Sequence, residues 1–233
     1  MANEWTDALP DAESAGAPPR WFPPRDEATQ VLMVRHGSTV HSHDGRFSGR
    51  NDLPLDEHGR RQAHAIAAHI ARLSAVDAVV SSPLRRARET AQVLAGRIGG
   101  RVEIHEGLTE TEFGEWEGLT IEEAHLKWPD VLADWLRRPD VPPPSGESFE
   151  QVEKRTLHAL DDIVTRRPGQ RVVLVSHVTP IKILLKLALG APQETMFRFH
   201  LDTASLSAVD YYQDGTSSVR MINNSEHPLP PDG

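Results

Sequence analysis

The chain of 233 residues contains no cysteine. That removes disulfide frameworks, thiolate zinc sites and cysteine nucleophiles from consideration together. Basic side chains are outnumbered, 25 lysines and arginines against 34 aspartates and glutamates. The formal charge of -9 argues against a stand-alone binder of nucleic-acid backbones or anionic lipid, and we expect neither nucleic acid nor membrane as a partner. Aromatic residues are few, at 6%. No stretch approaches the roughly 20 apolar residues of a spanning helix, and the strongest apolar run, Ile181 to Leu189, is broken by Lys182 and Lys186. The opening residues Met1 to Asp7 are neither basic nor apolar, so we expect no secretory signal and a cytoplasmic protein.

What is present organises into three parts. Residues 1–28 are rich in Pro, Ala and acidic side chains and read as a linker or tail. Residues 225–233 read as a disordered tail, and residues 29–224 carry the single domain. Within it, strands and helices alternate. Val31 to Val34, Ala78 to Ser81, Val102 to Ile104 and Val172 to Val175 are short apolar strands. Ala63, Ile66, Ala67 and Ile70 mark the buried face of a helix from about Asp56 to Arg72. Ser82 followed by Pro83 reads as the start of a helix whose Leu84, Ala87, Ala91, Leu94 and Ile98 recur at helical spacing. Thr120 with Glu123, and Ser148 with Gln151, read as capping boxes. A helix from Pro180 to Leu189 follows the most apolar strand. A hairpin turning at Asp214-Gly215 closes the domain. The pattern predicts a three-layer α/β/α sandwich around a mostly parallel sheet with one antiparallel strand.

In such sheets ligands sit beyond the carboxyl ends of the strands. Four loops there carry polar groups: Arg35-His36-Gly37, Ser81-Ser82-Pro83-Leu84-Arg85-Arg86, the stretch from Leu108 to Gly118 that includes Glu110, and Ser176-His177-Val178-Thr179-Pro180. Two histidines, two or three arginines and an acid suit a doubly charged oxyanion, with phosphate favoured. Arginine offers a planar, permanently charged fork of donors to phosphoryl oxygens. Gly37 beside His36 reads as a position where the backbone comes close to the ligand. The helix starting at Thr179-Pro180 presents free N–H groups to the anion. A neutral imidazole can attack phosphorus, and a carboxylic acid can protonate the leaving oxygen.

Taken together, these motifs resemble the histidine phosphatase superfamily, the phosphoglycerate-mutase-like proteins, over about residues 30–222. The resemblance implies a phosphohistidine mechanism without metal or cofactor. It implies His36 as nucleophile, Glu110 as acid, His177 as the second histidine, and Arg35 and Arg86 as phosphate ligands. Ser42, Ser48, Gly49 and Val178 are further expected substrate contacts, the middle two within the Arg46-Phe47-Ser48-Gly49 loop. Ser38 stands where the family usually has Glu or Gln, Ser42 where an Asn is usual, and Val178-Thr179-Pro180 replaces a glycine-rich turn. The Ser-His-Val-Thr-Pro-Ile-Lys and Leu-Asp-Thr-Ala-Ser-Leu-Ser runs are similar to the phosphatase domain of actinobacterial ribonuclease H/acid phosphatase fusions. That opens the N-terminal segment to being the remnant of an interdomain linker.

Competing readings fit less of the chain. His36, His41 and His43 have a spacing seen in metal proteins, but the adjacent arginine repels a cation, and no metal is expected. His64 and His69 read as solvated, Lys182 and Lys186 as the wet edge of a buried helix, and Trp128 and Trp135 as packing residues. Neither GxGxxG nor a Walker A run is present, so nucleotide-cofactor folds gain no support. A metal-independent phosphomonoesterase acting on a small phosphorylated substrate, with activity highest on the acidic or near-neutral side, is the reading preferred. Candidate substrates are sugar phosphates, phosphoglycerates, nucleotide monophosphates and α-ribazole phosphate. Mutase transfer is the first alternative, disfavoured by the short stretch from Glu110 to His177. An inactive phosphate-binding or interaction module is the second. Monomer and dimer are both left open.

Overall fold

The computed structural model describes residues 28–73 and 75–229. The stretch read as a linker lies outside these residues except for Ala28, as do residues 230–233 of the expected tail. Six strands among them form one sheet: β1 (Thr29–Arg35), β2 (Ala78–Ser81), β3 (Val102–Ile104), β4 (Arg171–Ser176), β5 (Leu206–Tyr211) and β6 (Ser217–Asn224). Their order is β3-β2-β4-β1-β5-β6. The first four strands pair in parallel, whereas β5 is antiparallel to both β1 and β6. β5 is thus the one reversed strand, as the sequence pattern implied.

The central strands are apolar at successive positions because both faces of the sheet are covered. Val31 and Met33 of β1, with Val172 and Leu174 of β4, pack against α6 (Phe149–Thr165) and α7 (Val178–Ala188). The alternate residues Leu32, Val34, Val173 and Val175 face α2 (Glu57–Leu73) and α3 (Arg85–Ile98). Ala63, Ile66, Ala67 and Ile70 of α2 are all 1% exposed or less, the face that helical spacing marked out. Each large aliphatic side chain buried in this way contributes on the order of 1.5–3 kcal/mol. Both expected capping boxes form, Thr120 opening α4 (Ile121–Lys127) and Ser148 opening α6. A third cluster joins α5 (Pro129–Trp135) to the flanking loops through Phe113, Trp116, Leu132, Trp135 and Phe149.

The helix after β2 begins later than Ser82-Pro83 implied. It starts at Arg85, and its N-cap Leu84 has extended backbone and no side-chain cap. The Ser82 hydroxyl, which would have capped the helix, accepts from the Leu84 N–H at 3.3 Å and lies 2.7 Å from His177 Nε2. α7 begins at Val178, with His177 as its N-cap residue. In the tail, residues 225–229 carry no regular structure. The His227 ring nevertheless lies 4.4 Å from that of His69, so His69 has a ring partner where the sequence pointed to solvent alone.

Gly37 serves a purpose other than approach to a ligand. A Cβ on it would stand 2.4 Å from the Gly59 carbonyl, and one on Gly59 would stand 2.1 Å from the Ser38 carbonyl. The pair lets the loop after β1 rest backbone to backbone on α2, and the Gly37 N–H donates to Thr90 at 3.1 Å. Gly59→Ala should therefore lower stability by about 1–3 kcal/mol or more through overpacking. Gly96→Ala, in α3 with open space around it, should raise stability by up to about 1 kcal/mol. Urea midpoints at unchanged m-value check both signs.

Candidate active site

β1 and β4 run in parallel register, with Arg35 opposite Ser176. The residues that follow, His36 and His177, therefore leave the sheet side by side. The His36 N–H donates to the Ser176 carbonyl at 3.1 Å, and the two ring centroids are 5.0 Å apart. His36 is 5% exposed and His177 is fully buried.

Hydrogen bonding selects the form of the His36 ring. A carbonyl oxygen can only accept, so Nδ1, which is 2.7 Å from the Gly37 carbonyl, carries the proton. Nε2 is left with a lone pair, and the Arg86 Nε–H donates to it at 3.2 Å. Burial, then the charges of Arg86 and Arg35, hold the His36 pKa well below its ordinary 6.5. His177 is depressed in the same way, by burial first and Arg86 next. Its Nδ1 is buried with no hydrogen-bond partner among the described residues.

Arg86 is fully buried, and its other donors go to backbone carbonyls: Asn51 at 2.7 Å, Ser48 at 2.9 Å and Gly49 at 2.8 Å. The guanidinium thereby ties the loop after α1 (Val40–His43) to α3. Gly49 allows this fit, since a Cβ there would lie 2.3 Å from the Thr111 carbonyl. The Gly49 N–H is also committed, to Glu117 at 2.8 Å. Arg35 donates to the Leu201 carbonyl at 2.6 Å. Burial lowers its pKa to about 10, opposed by the charges of Glu110 and Asp202, so it remains ionised at neutral pH. Arg85 points elsewhere, its Nε 2.7 Å from Glu89 on the surface.

Glu110 is 5% exposed. Its Oε1 accepts from the Thr111 N–H at 2.8 Å, and its Oε2 lies 3.4 Å from the Thr179 nitrogen at the positive end of α7. Arg155 of α6 holds this loop from behind, donating to the carbonyls of Gly107, Thr109 and Glu110 at 3.0, 2.5 and 3.0 Å. The same guanidinium is paired through Nε and a terminal nitrogen with Glu147 at 2.7 and 2.8 Å. No sequence motif marked Arg155, because its role lies in bonds to backbone atoms about 45 residues away.

A cavity of about 240 Å³ opens on these groups. Arg35, His36, Thr39, Ser42 and Glu110 line one end, with Ser48, Val178 and Thr179 in the same wall. Arg86, His177 and Gly49 are not in the wall, and the first two are fully buried. The Ser42 hydroxyl belongs to the capping box of α1, bonded to the Thr39 N–H at 2.7 Å. Lys182 was read as a wet edge, but it lines the cavity and donates to the Met196 carbonyl at 2.8 Å. Lys186 is 7% exposed and paired with Glu153, so the wet-edge reading fails for it. Trp135 both packs and lines the cavity. Helical spacing alone could not distinguish an outer lysine from one folded over by the following loop.

The model for the histidine phosphatase superfamily (branch 1) matches residues 31–224. Bifunctional protein Rv2228c of Mycobacterium tuberculosis is 42% identical over 237 residues, covering 97% of this chain. The chain spans 65% of the length of that relative. Phosphoserine phosphatase 1 of Hydrogenobacter thermophilus is 31% identical over 199 residues, covering 85% of this chain and 93% of the relative. Among solved structures, a mycobacterial glucosyl-3-phosphoglycerate phosphatase matches with a TM-score of 0.77 at 28% identity, covering 84% of this chain and 99% of its own. The mycobacterial, bifunctional character of the first relative agrees with the likeness to actinobacterial fusions.

The two buried imidazoles have a consequence for stability. Their folded-state pKa values lie below those of the unfolded chain, so on acidification the unfolded state binds protons first. Stability should fall as pH drops below about 6.5, by up to about 1.4 kcal/mol per pH unit for each ring. Urea midpoints between pH 7.5 and 5 measure the slope, which should be smaller in His177→Asn. A midpoint flat across that range would contradict buried neutral rings.

Proposed function

The chain belongs to the histidine phosphatase superfamily, branch 1, and from that premise we propose a metal-independent phosphomonoesterase that acts through a phosphohistidine on a small phosphorylated metabolite. The observation that carries this reading is the neutral His36 ring, whose Nε2 lone pair is kept by the Gly37 carbonyl at the opposite nitrogen. Phosphatases among the relatives and structural neighbours support it further.

In the first step the Nε2 lone pair attacks phosphorus, and the ester P–O bond breaks. The leaving alkoxide takes the proton of the Glu110 carboxyl group. The Arg86 Nε–H, hydrogen-bonded to Nε2 before attack, keeps its proton and turns that hydrogen bond to a phosphoryl oxygen, and Arg35 neutralises a second. Water then attacks the phosphohistidine and gives its proton to the Glu110 carboxylate. The P–N bond breaks, orthophosphate leaves, and both residues return to their starting forms. His177, without a partner at Nδ1, is the further donor to the phosphoryl oxygens once that nitrogen carries the proton. The chemistry requires neither metal nor cofactor. A cytoplasmic setting follows from the same reading, because doubly charged monoesters do not cross membranes unaided.

His36→Ala should lower turnover by at least about 10³-fold and abolish phosphoenzyme trapping. Normal turnover in that variant would refute the nucleophile. The quantity to follow is inorganic phosphate, since a rearranged ester in its place would identify mutase transfer. Glu110→Gln should slow alkyl phosphates by about 10²–10⁴-fold while sparing nitrophenyl phosphate, whose leaving group needs no proton. Equal losses on the two esters would remove Glu110 as the acid.

A further inference from the structure

The cavity has a second end. Phe47, Phe113, Trp135, Phe149, Met196 and Phe197 line it. The chain has five tryptophans, two tyrosines and six phenylalanines, so five of its thirteen aromatic side chains meet at this one cavity. They touch one another, with ring centroids 4.8 Å apart for Phe47 and Phe113, 4.7 Å for Trp135 and Phe149, and 6.1 Å for Trp135 and Phe197. Core packing accounts for most of that wall but not for Phe197, which is 42% exposed at its edge. The cations that reach this end have partners within the chain. One terminal nitrogen of Arg46 donates to the Gly118 carbonyl and to Glu123, each at 2.8 Å. Lys182 donates to the Met196 carbonyl and lies 5.3 Å from the centre of the Phe199 ring.

We propose that the alcohol of the substrate carries a flat apolar group, of benzyl type, which lies on this wall while the phosphate occupies the His36 end. The inference rests on the phosphomonoesterase reading for the phosphate end and goes beyond it for the rest of the molecule. An apolar ring gains from leaving water against Trp135 and Phe197 and needs no cation. A second carboxylate, as in a phosphorylated amino acid, would give up its water against the aromatic rings.

Calorimetric binding of three non-hydrolysable phosphonates tests this. They are benzylphosphonate, ethylphosphonate and 2-amino-4-phosphonobutyrate, the last standing in for phosphoserine. Benzylphosphonate should bind at least about tenfold tighter than ethylphosphonate and tighter than the amino-acid analogue. Phe197→Ala should narrow the first ratio to about threefold or less. Equal affinity for benzyl- and ethylphosphonate, tightest binding of the amino-acid analogue, or binding of none of the three would overturn the proposal. The measurement needs no turnover. Selective binding without phosphate release from any ester would sink the phosphatase reading and leave this one standing, and phosphate release without selective binding would do the reverse.

Discussion

Two imidazoles stand 5.0 Å apart at the ends of adjacent parallel strands, His36 nearly and His177 fully buried, beside two guanidinium groups. The surroundings of the site follow from what it takes to keep those rings uncharged there. A histidine in water is half protonated near pH 6.5. Burial next to Arg86 and Arg35 removes that option, because a third positive charge would be both desolvated and repelled. The Gly37 carbonyl then decides which nitrogen carries the remaining proton. An imidazole lone pair is thus held ready without a neighbouring base.

Burying two arginines is costly unless their donors are satisfied. The chain meets that cost for Arg86 with main-chain carbonyls and only in part for Arg35, whose Nε is buried without a hydrogen-bond partner among the described residues. Asn51, Ser48 and Gly49 take the Arg86 donors, and Leu201 takes one from Arg35. Carbonyls solvate a guanidinium without neutralising it, so the positive charge stays available to an incoming anion. The same device appears one layer out. Arg155 grips three carbonyls of the loop bearing Glu110, and its own charge is balanced by Glu147. Placement of the Glu110 carboxyl group therefore draws on α6, an element that contributes nothing to the cavity wall beyond Phe149.

Much of the scaffold was legible because it follows from local rules. Two strands of continuous apolar residues meant a sheet covered on both sides, and the helical repeat of Ala63, Ile66, Ala67 and Ile70 named a buried face. Thr120 and Ser148 announced helix starts through residues three positions ahead. Errors arose where a polar group had a distant competitor. Ser82 looked like a cap, yet its hydroxyl is shared with His177, 95 residues on. Gly37 was expected to lie beside a ligand, and its missing side chain also admits the backbone of α2.

From the order of its residues alone, the chain determined its alternation of strands and helices and which side chains would gather beyond the strand ends. Periodicity, capping and charge act over a few residues and can be read in a line. Tertiary structure alone decided the tautomer of His36, the commitment of Arg86 to a neighbouring loop, the contact of Lys182 with the Met196 carbonyl and the aromatic part of the cavity wall. The tautomer depends on a neighbouring carbonyl whose loop is held by Thr90 and α2, and the others on contacts between segments 14 or more residues apart. Such pairings are chosen by the packing of the whole domain, which no local pattern encodes.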